Sequence, residues 1–254
     1  MLDTIQKKLD EIERQENVKI LHCVESGSRA WGFASPDSDY DVRFVYLRKR
    51  EDYLRLEGIR DVIEWQLDDV LDINGWDIQK YLRLLYKSNP TVFEWERSPI
   101  VYRTTPEWEQ ISAVTGQYFR QDHLLHHYLS MAKSNDRAYL REEQVKLKKY
   151  FYVIRPLLAC RWILEQGTPP PIEFAKLTEA ELPAELNAPM EELLEQKRMT
   201  PETGKRPHIA VFDQFIAEQF ETLEAAAGSL HGRTEHNWDA LDEIFLRLTS
   251  QQDT

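Results

Sequence analysis

The run ESGSRAWGFASPDSDYDVRFV, from Glu25 to Val45, constrains the fold more than any other part of the chain. It joins two apolar segments, VKILHCV (18–24) and DVRFVYL (41–47), through a small-residue turn and two carboxylates, Asp39 and Asp41. Both segments are short and rich in β-branched or aromatic residues, so each is expected to be a strand. Alternation along the second sends Asp41, Arg43 and Val45 to one face and Val42, Phe44 and Tyr46 to the other. The N-terminal part must therefore contain a sheet, one strand of which opens on two acidic side chains.

The elements around this run follow from periodicity. LDTIQKKLDEIERQE has Leu2, Ile5, Leu9 and Ile12 on one stripe and predicts an amphipathic helix. A short helix is expected at EDYLRLEG within the charged stretch 48–61, then strands at DVIEWQL and VLDINGW. WDIQKYLRLLYKSNP (76–90) predicts a helix stopped at Asn89-Pro90, and TVFEWERSP a short helix before IVYR. From about Thr105 every segment has helical character, including one long helix over EEQVKLKKYFYVIRPLLACRWILEQ, with joints at TPPPIEF and MTPETGKRPH. The expectation is an α+β fold: a mixed sheet with helices, then an all-α C-terminal helical domain. The boundary falls at 104/105, giving domains 1–104 and 105–254.

Composition limits the partners. The net charge of −12 argues against broad coating of nucleic acid, which requires many phosphates to be neutralised. The charge is uneven, however. Lys133–Arg161 carries eight basic residues against three acidic ones, whereas Trp162–Leu230 carries five against thirteen, so a focused anion site is expected on the basic segment. Cys23 and Cys160 sit in apolar segments without partner spacing, which speaks against a disulfide or zinc site. No apolar run approaches the roughly 20 residues needed to span a bilayer, and Met1 leads straight into the first helix, so a soluble cytoplasmic protein without a leader is expected.

Residues i and i+2 of a strand share a face, so Asp39 and Asp41 stand together. Two like charges held that close are unfavourable unless a cation lies between them, and hard divalent ions take oxygen ligands while bridging phosphates. The Gly27-Ser28 turn supplies close backbone approach and a hydroxyl donor for such a phosphate. A phosphate cradle facing a carboxylate pair is a layout for phosphoryl transfer. Either half alone is commonplace: a lone Asp-x-Asp is usually a solvated turn or a helix cap.

Gly27-Ser28, then ten residues, then Asp39-Tyr40-Asp41 resembles the signature of the DNA polymerase β-type nucleotidyltransferase superfamily. The longer string GSRAWGFASPDSDYDVR, with WDIQKYLRLLYKSNPTVFEW and KKYFYVIRPLLACRWIL, resembles the RNA-repair-associated branch over most of residues 18–165. The resemblance implies a sheet carrying the metal site, a helical domain closing over the nucleotide, Mg²⁺ (or Mn²⁺) as cofactor and a nucleoside triphosphate as substrate. Transfer of a nucleoside monophosphate to a hydroxyl, with pyrophosphate released, is the implied reaction. The acceptor is an RNA end or a protein hydroxyl; neither base nor oligomeric state is indicated.

That layout calls for a third carboxylate. Asp72, flanked by Leu71 and Ile73, is the first choice, and Asp77, at a helix start where capping is the default, the second. Asp68 and Asp69 read as turn residues. Metal and catalysis are thus expected at Asp39, Asp41 and Asp72. Arg29 could hold a triphosphate oxygen or pair with Asp37; Arg43 points with Asp41 toward substrate or a metal-binding carboxylate. Ser35 and Ser38 serve the turn, and Trp31 and Phe33 either stack on a base or pack beneath the loop. Lys146 and Lys149 share a helical face with Val153, and Lys148, Tyr152 and Arg155 an adjacent one. From these, Lys146, Lys149 and Tyr152 are candidates for phosphates and sugar. Lys87, Ser88 and Asn89 terminate a helix or touch phosphate, and His123, His126 and His127 read as surface or structural rather than as a metal site.

Overall fold

In the computed structural model, Leu2–Glu16 form helix α1, whose Ile5, Leu9 and Ile12 are buried at helical spacing; Leu2, expected on the same stripe, lies outside it. The structure describes residues 1–35, 38–67, 70–199, 205–230 and 236–250. The expected Asp68-Asp69 turn and the Asp37 partner of Arg29 lie outside the described residues. The chain divides into two compact units. The first comprises Met1–Ala30, Asp39–Tyr118 and Glu235–Thr254, the second Trp31–Ser38 and Phe119–Thr234.

The first unit continues with β1 (Val18–Glu25), a single turn α2 (Gly27–Ala30), β2 (Tyr40–Arg48) and a second short turn α3 (Arg50–Tyr53). Next come β3 (Val62–Leu67), β4 (Leu71–Asp77), α4 (Ile78–Tyr86), α5 (Pro90–Glu96), β5 (Val101–Thr104) and α6 (Pro106–Thr115). Among the described residues five strands form one sheet in the order β3-β4-β2-β1-β5. β2 and β4 are parallel and the other neighbours antiparallel. Val42, Phe44 and Tyr46 of β2 and Leu71 and Ile73 of β4 join the α1 stripe in one apolar cluster. Phe44 stands opposite Gly75, and a Cβ there would lie 2.1 Å from its ring, so the glycine makes room for the aromatic side chain.

The helix expected over EDYLRLEG shrinks to α3, because Leu54 and Leu56 are exposed and no apolar face is buried to support further turns. Asn89-Pro90 ends one helix and begins the next: Ser88 takes a left-handed conformation with φ of 55°, and the Asn89 side chain accepts the Thr91 N–H at 3.0 Å. The last helix of the chain, numbered below, returns to this unit.

The second unit contains α7 (Gln121–Tyr139), β6 (Gln144–Lys146), α8 (Lys148–Gln166), α9 (Phe174–Glu181), α10 (Asn187–Met199), β7 (Lys205–Pro207) and α11 (Ala210–Ser229). α12 (Asp239–Ser250) then packs in the first unit, where Trp238 stacks on Tyr86 at 3.7 Å. The units therefore do not follow one cut at 104/105: α6 and α12 go with the sheet. The segment expected as one helix from Glu142 also divides. Val145 is buried in a two-stranded ribbon with β7, which draws Gln144–Lys146 out of helical conformation, so Lys146 shares no helical face with Lys149.

α7 and α8 bury Leu125, Tyr128 and Leu129 with Val153, Ile154, Leu157 and Leu158. Pro156 sits inside α8 and has no N–H to give to the Tyr152 carbonyl; the Asn135 side-chain amide donates to that oxygen instead, at 3.0 Å. Among the described residues no helix is long and apolar enough to cross a membrane.

Candidate active site

A backbone hydrogen bond and a left-handed glycine set the Gly-Ser turn against the second strand. Ser26 N–H donates to the Asp41 carbonyl at 2.8 Å, and Gly27 follows with φ of 59°, a left-handed conformation that favours glycine. A Cβ on Gly27 would stand 2.0 Å from Asp41 Oδ2, so only glycine lets the turn lie against that carboxylate. Asp41 and Asp72 are directly opposite each other in the parallel β2–β4 register, hence side by side on the face away from α1.

Arg43 lies between them. Its Nη2 donates to Asp41 Oδ1 at 2.9 Å and to Asp72 Oδ2 at 2.7 Å, while Nη1 donates to the Asp72 carbonyl at 3.0 Å. Burial lifts the Asp41 carboxyl above the usual carboxylate range; Arg43 pulls it down, and Asp72 and Asp39 push it further up. Asp39 is exposed, and its carbonyl accepts from Arg29 Nε at 3.0 Å, with the Arg29 guanidinium 3.6 Å over the Tyr40 ring.

Glu25 escaped the reading of the sequence. It is fully buried at the end of β1, where its Oε1 accepts the Asp41 N–H at 2.8 Å and its Oε2 accepts the Tyr102 hydroxyl. Ser98 Oγ donates to the Glu25 carbonyl at 2.6 Å. The signal that could have found it is a carboxylate ending an apolar strand one step before the turn.

The remaining candidates fall as follows. Ser28 lies half-buried in α2. Asp77 caps α4: Oδ1 accepts the Gln79 N–H at 2.8 Å and Oδ2 the Tyr53 hydroxyl at 3.0 Å. The Ser35 and Ser38 hydroxyls bond to each other at 2.8 Å. In the second unit Phe33 packs on Phe151 at 4.8 Å between ring centroids, and the buried Arg155 lies 4.5 Å from the Trp31 ring. Lys149 stands over the Tyr139 and Tyr152 rings at 3.6 and 4.6 Å, and Lys146 belongs to β6. His123, His126 and His127 are exposed on α7.

Two features of this site suit a divalent cation. Asp72 Oδ1 is buried without a hydrogen-bond partner, an orphaned acceptor of the hard oxygen type that Mg²⁺ takes. Asp41 Oδ2 borders the glycine turn. Against these, Arg43 holds the other oxygen of each carboxylate, and among the described residues no three His, Cys, Asp or Glu side chains gather closely enough to hold a metal ion.

Comparison with known proteins gives three findings. A family model described as RNA repair pathway DNA polymerase beta family matches residues 1–247. The uncharacterized protein YcgL of Bacillus subtilis (strain 168) is 44% identical over 253 residues, which is 99% of this chain and 97% of that protein. A crystal structure of a nucleotidyltransferase-like protein from Exiguobacterium sibiricum 255-15 aligns over all of this chain and 81% of its own, at 12% identity and a TM-score of 0.33, too low to bear on the fold.

Proposed function

The chain belongs to the RNA repair pathway DNA polymerase beta family, and from that membership we propose that it is a metal-dependent nucleotidyltransferase. It moves a nucleoside monophosphate from a nucleoside triphosphate to a hydroxyl, with an RNA end as acceptor and pyrophosphate as the other product. The observation that carries this reading is Asp41 and Asp72 in register on parallel strands, with Gly27 against the Asp41 carboxylate. Asp41 and Asp72, with Asp39 from the residue before β2, would hold Mg²⁺ or Mn²⁺. When bound, the cation supplies positive charge for the triphosphate and the leaving pyrophosphate.

The chain's own groups have separable tasks. The Gly27-Ser28 turn offers backbone N–H groups and a hydroxyl to phosphate oxygens. Arg29 and Arg43 supply guanidinium charge; Arg43 also keeps the two strand carboxylates in one orientation. Asp72 would take the proton of an attacking hydroxyl. Lys149 and Tyr152 are tested for phosphate and sugar contacts by substitution, and Lys146 with them.

The experiment is transfer of label from the four α-labelled nucleoside triphosphates to total RNA and total protein. Label is expected on RNA with Mg²⁺ and is expected to vanish in the Asp39→Ala, Asp41→Ala double variant. Transfer that survives the double variant overturns the reading, and label on protein moves the acceptor to a protein hydroxyl.

One observation favours a second reading, a nucleotide- or RNA-binding module without turnover. Arg43 already pairs with both carboxylates and offsets one of their two charges, so the pair is held together without a cation. Tight binding of a non-hydrolysable nucleoside triphosphate that is indifferent to Mg²⁺, with no transfer to any acceptor, selects the module.

A further inference from the structure

We propose a second anion site in the sheet unit, built to take a phosphate group, at the far end of the parallel strand pair from Asp41 and Asp72. A cavity of 360 Å³ opens there, where β2 ends at Arg48 and β4 at Asp77. Arg48 lies seven strand positions beyond Asp41, roughly 23 Å of chain, so the cavity is distinct from the candidate active site. The carboxyl ends of parallel strands are where open α/β sheets bind ligands, because successive chain segments diverge there and leave a crevice.

Its hydrogen-bond donors suit an anion. Guanidinium groups of Arg48, Arg55, Arg60 and Arg83 line the cavity. Two are already paired, Arg55 with Asp52 at 3.3 Å and Arg60 with Glu64 at 2.5 Å. Arg48 and Arg83 form no ion pair among the described residues. Arg48 Nε is, in addition, a buried donor without an acceptor, a group that folded proteins seldom leave unsatisfied.

The acids of the lining are mostly committed. Asp52 serves Arg55, Asp61 accepts from Lys80 Nζ at 3.2 Å, and both Asp77 oxygens are bonded. Glu57 is the exception, and Arg48 also lies near Asp77 and the Tyr46 hydroxyl, so what suits an anion is the unmet Arg48 Nε donor together with the Arg83 guanidinium rather than an excess of charge. Planar guanidinium forks match the oxygens of phosphate, and the volume admits a phosphate bearing a small organic group. The site does not depend on the proposed transfer reaction.

The test is isothermal titration of the full chain with inorganic phosphate. Arg83 is exposed and Arg83→Gln leaves the fold intact, which circular dichroism checks; Arg48→Gln is the second variant. Each is expected to weaken phosphate binding about tenfold or more, as loss of a charge-assisted hydrogen bond does. Ser28→Ala with Arg29→Gln, which strips donors from the other site, is expected to leave this binding unchanged.

A 5′-phosphorylated oligoribonucleotide in competition identifies the source. Displacement of phosphate assigns the ligand to an RNA terminus, and failure to displace assigns it to a free phosphate compound; both outcomes support the site. Equal phosphate affinity in wild type and Arg83→Gln, or no saturable binding at millimolar phosphate, overturns it.

Discussion

Glu25 accepts the Asp41 N–H and the Tyr102 hydroxyl with its two carboxylate oxygens, so the β2 end of the candidate site is held from behind by a buried acid. Glu25→Ala leaves both donors without an acceptor in a dry environment, at a cost of about 2 kcal/mol. Glu25→Gln keeps Oε1 for Asp41 and is expected to lose less than half of that. Urea unfolding of the three proteins checks the ranking, and equal losses in both variants would remove the hydrogen bond to Asp41 from the account. Asp41, Asp72 and Gly27 were legible in the sequence, because alternation and a glycine turn are local properties. Arg43 was legible as sharing the face of Asp41, aimed at substrate or a metal-binding carboxylate, but its bridge to Asp72 in particular depends on the β2–β4 register, which no local pattern encodes.

Helix α4 starts on Asp77, buried with only 4% of its surface exposed, and burial raises its pKa to about 6. The folded value lies above the unfolded one, so this group's contribution to stability is complete below the ordinary aspartate value of 3.8 and is lost as pH rises through about 6. The loss amounts to roughly 3 kcal/mol at most. Asp77→Asn keeps an acceptor for the Gln79 N–H but cannot titrate. Its unfolding free energy, measured against wild type from acid to neutral pH, is expected to shift in the variant's favour by up to that amount. A difference that stays flat across the window removes the titration of Asp77 as its cause. The capping reading was available from the Asp-before-helix pattern, whereas the raised pKa was not, since it comes from the surrounding burial, which outweighs the downward pull of the Gln79 N–H and the Tyr53 hydroxyl. α8 shows the complementary case: Pro156 is visible in the sequence as an interruption, but Asn135 of α7 supplies the lost hydrogen bond, so the helix continues.

The chain crosses between its units and comes back. α12 brings Leu241, Ile244 and Leu248 into the sheet unit, Trp238 stacks on Tyr86, and Phe245 meets the Tyr53 ring at 5.1 Å. A chain ending at Leu230 would expose that surface and lose on the order of 5 kcal/mol from the sheet unit. The expected result is a lower melting transition for the truncated protein. An unchanged transition would mean that α12 adds nothing to the stability of the sheet. Hydrophobic spacing, turn residues and caps by themselves determined most elements and the carboxylate-bearing strand, because each acts within a few residues. Tertiary structure alone decided that Gln144–Lys146 pairs as a ribbon, that α12 returns to the sheet, that Arg43 bridges Asp41 to Asp72, and that Glu25 backs Asp41. These depend on contacts between residues far apart in the chain, where burial and register outweigh local preference.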